Sequence, residues 1–149
     1  MIKEGSKALD FKLRGVDGKV HSLKEAKSRY TVLYFYPKDL TPGCTIQAAR
    51  YSACAGTLKR LGATVLGVSK DNINSHKRFK TKCKLKFMLL SDPTSKVIRG
   101  YGAYGNRGVF GMGTLRNTYI IKGGRVVKIF RKVDPLRDTA NVIDYIKGN

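Results

Sequence analysis

The stretch Tyr34-Phe35-Tyr36-Pro37-Lys38-Asp39-Leu40-Thr41-Pro42-Gly43-Cys44-Thr45 gathers the residue types most able to do chemistry. Thr41-Pro42 reads as a helix start, with a hydroxyl at the cap and proline at the first helical position. Cys44 then falls in the first turn, where unpaired amides and the positive end of the helix dipole favour negative charge. A thiol in that place is held more readily as the thiolate, the form that attacks. Thr41 can point its hydroxyl into the same space. The competing reading is a small thiol tucked under a helix, since free cysteine is among the most buried residue types. Position alone leaves both open.

The other candidates are weaker. Cys54 and Cys83 are the remaining thiols, and His21 and His76 the only histidines. Neither histidine has metal-ligand spacing with a cysteine and no Cys-x-x-Cys occurs, so no zinc site or dithiol pair is expected. Gly100-Tyr101-Gly102-Ala103-Tyr104-Gly105 matches Gly-x-Gly-x-x-Gly literally. A dinucleotide site needs that motif between strand and helix with an acid about 20 residues on, whereas here it follows a helix and the next acid is Asp134. It reads as a glycine-rich loop, and no cofactor or metal is expected.

The elements that must position Cys44 alternate strand and helix. Thr31–Tyr36 is a β-branched and aromatic run ended by Pro37, which predicts a buried strand. The helix opened by Thr41 should run to about Leu61, with Gly62 as its stop. Thr64–Val68 predicts a second buried strand, and Asp71 can cap a helix through roughly Lys82. Asp92-Pro93 and Asp134-Pro135 repeat the cap-plus-proline signature. Arg116–Ile121 and Val126–Phe130 flank the hairpin signal Lys122-Gly123-Gly124-Arg125, and Asp10–Arg14 pairs with Lys19–Ser22 around Asp17-Gly18. The crossover rule makes the two central strands parallel, joined by the Thr41–Leu61 helix. A mixed sheet with helices on both faces follows. Several α/β folds fit it, a thioredoxin-like sandwich among them.

Composition narrows the class. A chain of 149 residues, 42% hydrophobic, predicts one folded domain over 1–149. The longest apolar or aromatic run is Val32–Tyr36, against about 20 residues for a membrane span, so no membrane partner is expected. Met1–Phe11 lacks the apolar segment of a secretory signal, which points to a cytoplasmic protein with reduced thiols. The net charge is +20, from 30 Lys and Arg against 10 Asp and Glu. Residues 1–75 carry 13 basic and 6 acidic side chains, net +7, and residues 76–149 carry 17 and 4, net +13. The densest cluster is Lys77–Lys86. Charge alone raises nucleic acid or another polyanion as a partner, but no aromatic-interleaved RNA motif or recognition helix accompanies it. A solvated basic surface is the simpler reading.

The motif Pro-x-x-x-Thr-x-x-Cys, standing as Pro37, Thr41 and Cys44, resembles the peroxiredoxin family. The longer string from Tyr34 to Thr45 is similar to its bacterioferritin-comigratory, or peroxiredoxin Q, group. The likeness extends through Leu66-Gly67-Val68-Ser69, Ser75-His76, Leu90-Ser91-Asp92-Pro93, Tyr101-Gly102 and Arg116-Asn117-Thr118. It implies an α/β thioredoxin-like fold: a central mixed β-sheet flanked by helices, with an N-terminal β-hairpin. It also implies a peroxidase for hydrogen peroxide and organic hydroperoxides. Cys44 would be the peroxidatic cysteine, ending as a sulfenic acid. Arg116 would add fixed positive charge beside the thiolate, Thr41 a hydrogen bond, and Pro37 a shield. A thioredoxin-, glutaredoxin- or small-thiol-type reductant, and a monomer or weak dimer, follow from the same likeness. A redox sensor would use the same Cys44 chemistry.

The resemblance breaks at the second thiol. Many members of the group carry a resolving cysteine five residues after the first, where this chain has Ala49, and an acid where it has Gln47. Cys54 would lie roughly 15 Å along the same helix from Cys44, beyond the reach of a disulfide without unwinding. Some members carry the resolving cysteine in the next helix. The position matching theirs is Lys80, and Cys83 lies about one turn later. That likeness favours Cys83 as the resolving residue over Cys54, with resolution by an external thiol as the alternative.

Overall fold

The computed structural model describes residues 2–149. Seven strands form one mixed sheet in the order β2-β1-β5-β4-β3-β8-β9. At its centre β3 (Tyr30–Phe35) pairs in parallel with β4 (Ala63–Ser69), and β4 in turn pairs in parallel with β5 (Met88–Ser91). β8 (Thr118–Lys122) runs antiparallel to β3 and forms a hairpin with β9 (Arg125–Phe130). At the other edge the N-terminal hairpin of β1 (Lys12–Gly15) and β2 (Val20–Ser22) joins β5. This is the thioredoxin-like α/β architecture with its N-terminal hairpin.

Alternation along the buried strands assigns two cores. Tyr30, Val32 and Tyr34 of β3 point to one face, with Cys44, Tyr51, Leu58, Phe79, Val142 and Ile146. Leu33 and Phe35 point to the other, with Ile98, Tyr101 and Tyr119. The first face is covered by α1 (Pro42–Ala53), α2 (Ala55–Arg60), α3 (Ile73–Cys83) and α5 (Asp138–Lys147), and the second by α4 (Lys96–Gly100). A period of two in the strands thus places Cys44 in the more heavily covered core.

Several boundaries differ from the sequence reading. The expected Thr41–Leu61 helix is two helices, interrupted at Cys54 with φ −97 and ψ 10. Gly56 weakens a continuous helix here, and Leu58 beyond the break is buried. Asn72, not Asp71, caps α3, its side chain accepting from the Ser75 amide at 2.9 Å. The carboxylate of Asp71 is taken by the Asp39 amide and the Ser69 hydroxyl. Helices α4 and α5 begin several residues after Asp92-Pro93 and Asp134-Pro135. Strand β5 was not expected, and the glycine-rich loop contains a small hairpin of β6 (Tyr104–Asn106) and β7 (Met112–Thr114).

Candidate active site

Cys44 is the third residue of α1 and is 1% exposed. Pro42 opens the helix and Thr41 precedes it in extended conformation. The Thr41 hydroxyl makes no capping bond; it donates to the Lys38 carbonyl at 2.8 Å, leaving its oxygen free to accept. Leu40, just before, is left-handed with φ 62, a conformation a side chain resists.

Buried Asp39 holds that turn in place. Its carboxylate accepts from Tyr36 at 2.6 Å and Ser75 at 2.8 Å, and faces His76 Nδ1 at 2.6 Å. The other ring nitrogen of His76 faces the Leu90 carbonyl at 2.9 Å. Asp39, Asp71 and His76 are grouped within 4.8 Å, and their polar atoms are engaged with one another and with neighbouring donors. The cluster therefore clamps the Pro37–Thr41 turn to α3 and β5, over-determining the strained Leu40 backbone.

Arg116 approaches from the segment before β8, which starts at Thr118 rather than at Arg116 itself. The Arg116 carbonyl accepts from the Val133 amide at 2.8 Å. Its guanidinium Nη1 donates to Cys44 Sγ at 3.5 Å and to Gln47 Oε1 at 2.9 Å. Gly43 makes room for it: a Cβ there would stand 3.0 Å from Arg116 Nη2. Pro37 and Arg116 share the wall of a cleft of 360 Å³ with Arg107, Leu115, Lys132 and Val133. Arg116 contacts the Cys44 sulfur, Pro37 shares a cleft wall with Arg116, and Thr41 borders Cys44 from the helix cap.

A helix N-terminus and a guanidinium are both aimed at one sulfur. The same donors can stabilise negative charge on an oxygen arriving at that sulfur. Tyr34, fully buried and stacked on Tyr51 at 4.8 Å, has its hydroxyl proton held far more tightly than usual by burial, reinforced by the negative charge of Cys44. It stays neutral beside the site.

Gln47, Gly43 and the Asp39–His76 pair were not singled out from the residues alone. Gln47 could have been found, because three residues after Cys44 on a helix is the same face. Cys83 ends α3, half-buried against the same core that contains Cys44. Cys54 also packs on that core, at the break between α1 and α2. All three thiols are free. Lys80 donates to the Phe87 carbonyl at 2.9 Å, and burial lowers its proton affinity.

Comparison with known proteins decides the family. Residues 5–129 match the model of the AhpC/TSA family. The chain is 38% identical over 150 residues to the peroxiredoxin Bcp of Bacillus subtilis, covering 98% of this chain and 96% of that protein. The chain belongs to the peroxiredoxins. Its group is that of Bcp and peroxiredoxin Q. The chloroplastic peroxiredoxin Q of Arabidopsis thaliana is 42% identical over 149 residues, covering 99% of this chain and 68% of its own length. Among solved structures, peroxiredoxin Q of Xanthomonas campestris superposes with a TM-score of 0.91 at 29% identity, covering 100% of this chain and 97% of that one. A mutant PrxQ of Xylella fastidiosa gives 0.95 at 27% identity, covering 99% and 97%. This peroxiredoxin is a thiol peroxidase that reduces peroxides through a cysteine, with electrons from a thioredoxin- or glutaredoxin-type partner. No helix among the described residues is long and apolar enough to cross a membrane.

Proposed function

We propose that Cys44 is the peroxidatic nucleophile and that Arg116, Thr41 and Pro37 form its pocket. The Cys44 thiolate attacks one peroxide oxygen, forming an S–O bond as the O–O bond breaks. The leaving hydroxide or alkoxide takes a proton and departs as water or alcohol, and Cys44 remains as the sulfenic acid. Arg116 and the α1 amides stabilise charge on the oxygens during transfer. The Thr41 oxygen accepts from the peroxide hydroxyl, and Pro37 limits access. The observation that carries this reading is the Arg116 guanidinium 3.5 Å from a sulfur in the first turn of α1.

The Cys83 thiolate then attacks the Cys44 sulfenic sulfur, releasing water and forming a disulfide that the reductant reopens. Both thiols lie against one core, at helix ends that can unwind locally. Hydrogen peroxide and small organic hydroperoxides are the substrates, in keeping with the alkyl peroxide reduction attributed to the bacterioferritin comigratory protein of Xanthomonas campestris. One sheet shared by both cores supports a single domain over 1–149, and free thiols suit a cytoplasmic setting.

The test is mass mapping of all three cysteines after one equivalent of peroxide. Sulfenic chemistry at Cys44 and a Cys44–Cys83 peptide are expected. Only glutathionylated or hyperoxidised Cys44 would remove Cys83 from the cycle. Peroxide turnover surviving Cys44→Ser would refute the nucleophile assignment.

A further inference from the structure

One buried carboxylate near the site has no part in the chemistry just described. Asp138 opens α5 and has no exposed surface. Its Oδ2 accepts from Tyr51 at 2.6 Å, Thr118 at 2.8 Å and Gln47 Nε2 at 3.0 Å. Its Oδ1 has no hydrogen-bond partner among the described residues. Burial raises its proton affinity, and the three donors and the Arg116 charge oppose that rise. Three donors converging on one oxygen are an arrangement built for a carboxylate.

Only one of those donors leads onward. Gln47 gives its amide N–H to Asp138 and its carbonyl oxygen to Arg116, and the reverse orientation would satisfy neither neighbour. Arg116 in turn reaches Cys44. The four groups form a line of carboxylate, amide, guanidinium and sulfur. Position 47 itself carries no charge, so the buried negative partner of the guanidinium stands one residue further away.

We infer that Asp138 is a positioning residue for the peroxidase site: through Gln47 it fixes Arg116 against Cys44 and supplies the counter-charge that position 47 lacks. The inference rests on the assignment of Cys44 and Arg116 as the reacting pair. A negative Asp138 locks the Gln47 amide with its oxygen toward Arg116. With that lock weakened, the amide can turn its N–H groups toward the guanidinium, which then swings off the sulfur. The C-terminal helix is in this way part of the catalytic arrangement without touching substrate.

A purely structural Asp138 would anchor the start of α5 and nothing more, and exchange of charge between positions 47 and 138 separates the two roles. Asp138→Asn keeps an oxygen for Tyr51 and Thr118 but removes the charge. Gln47→Glu puts a second carboxylate against Asp138. The double variant returns one carboxylate and one amide to the pair, with the charge now beside Arg116. The readout is the second-order rate of Cys44 oxidation by hydrogen peroxide, with thermal midpoints recorded in parallel. Each single change is expected to slow oxidation by about tenfold, and the double variant to recover to within about threefold of the unmodified chain. A double variant as slow as the two losses multiplied, or an Asp138→Asn protein reacting at the unmodified rate, overturns the inference. Should Asp138→Asn fail to fold, Gln47→Met cuts the line and leaves α5 untouched, and unmodified reactivity there overturns it equally. Cys44→Ser is measured alongside. Turnover surviving in that variant refutes the nucleophile assignment, whereas turnover lost there with additive exchange variants refutes only the role of Asp138.

Discussion

Cys44 and Cys83 are the same side chain set at opposite ends of two helices. Cys44 lies in the first turn of α1, facing free amides and the positive end of the dipole. Cys83 is the last residue of α3, beside free carbonyls and the negative end, before Lys84 turns left-handed with φ 52. The first is buried under a guanidinium; the second is half-buried against the core, in a stretch of chain that also carries Lys80, Lys82, Lys84 and Lys86. A nucleophile for peroxide needs a fixed charge environment, because the charge it stabilises moves only along the S–O–O line. A thiol that closes a disulfide would need mobility instead, whereas this helix end is capped, the Leu85 amide donating to the Lys80 carbonyl at 3.0 Å.

The largest break in that comparison comes from Arg116. Arg116→Ala leaves Cys44 with helix amides alone, and peroxide reactivity should fall by about 10²–10³-fold, as when one oxyanion donor is removed. Stopped-flow oxidation against peroxide concentration measures it, and a loss below threefold would show that the helix end suffices. Cys83→Ser should act on the other half only. The first oxidation should stay within about twofold of the unmodified rate, while the Cys44–Cys83 peptide disappears and hyperoxidised Cys44 accumulates.

Gly43→Ala sharpens the comparison by moving the cation without removing it. The new Cβ would stand 3.0 Å from Arg116 Nη2, so the guanidinium must shift. Oxidation should slow by about three- to tenfold while the thermal midpoint holds or rises, since alanine is the better helix former by about 1 kcal/mol. An unchanged rate would show that Arg116 tolerates displacement.

The smallest effect lies far from both thiols and serves as a control. His21 sits between Asp17 at 2.9 Å and Glu25 at 2.6 Å, and the hydrogen bond to Asp17 chiefly raises its affinity for the proton. A raised histidine contributes stability in full below about pH 6.5, its unfolded value, and loses it as pH climbs through the folded value. The thermal midpoint should fall by on the order of 1–2 °C across that window, and His21→Gln should flatten the slope. Cys44 oxidation compared between the two proteins should not differ.

Local pattern and long-range pairing separate what was legible in the residues from what was not. Strands β3 and β4 and the β8–β9 hairpin stand out because apolar runs and turn residues are adjacent in the chain. Cys44, Thr41 and Pro37 share one short stretch, so their spacing already suggested a pocket, and the family likeness brought Arg116 to it. Strand β5 is four residues long, too short for a period, and β6 and β7 are rich in glycine. Helix α2 was absorbed into α1 because no proline or charge marks Cys54. Asp138 carried no local sign of its role: it meets Gln47, Tyr51 and Thr118 only because the sheet order brings α5 against α1 and β8. The Asp39–His76 pair likewise joins two segments through tertiary folding.

The interruption at Cys54 bears on how much structure must give way when the Cys44 sulfenic acid is to meet a partner. A continuous helix to Arg60 would transmit any unwinding of its first turn toward the Leu58 anchor. With α1 ending at Cys54, such a disturbance can stop there, and α2 can keep its seat on β4. The pause would then act as a mechanical fuse, confining an opening at Cys44 to the three turns of α1 and sparing the sheet beneath.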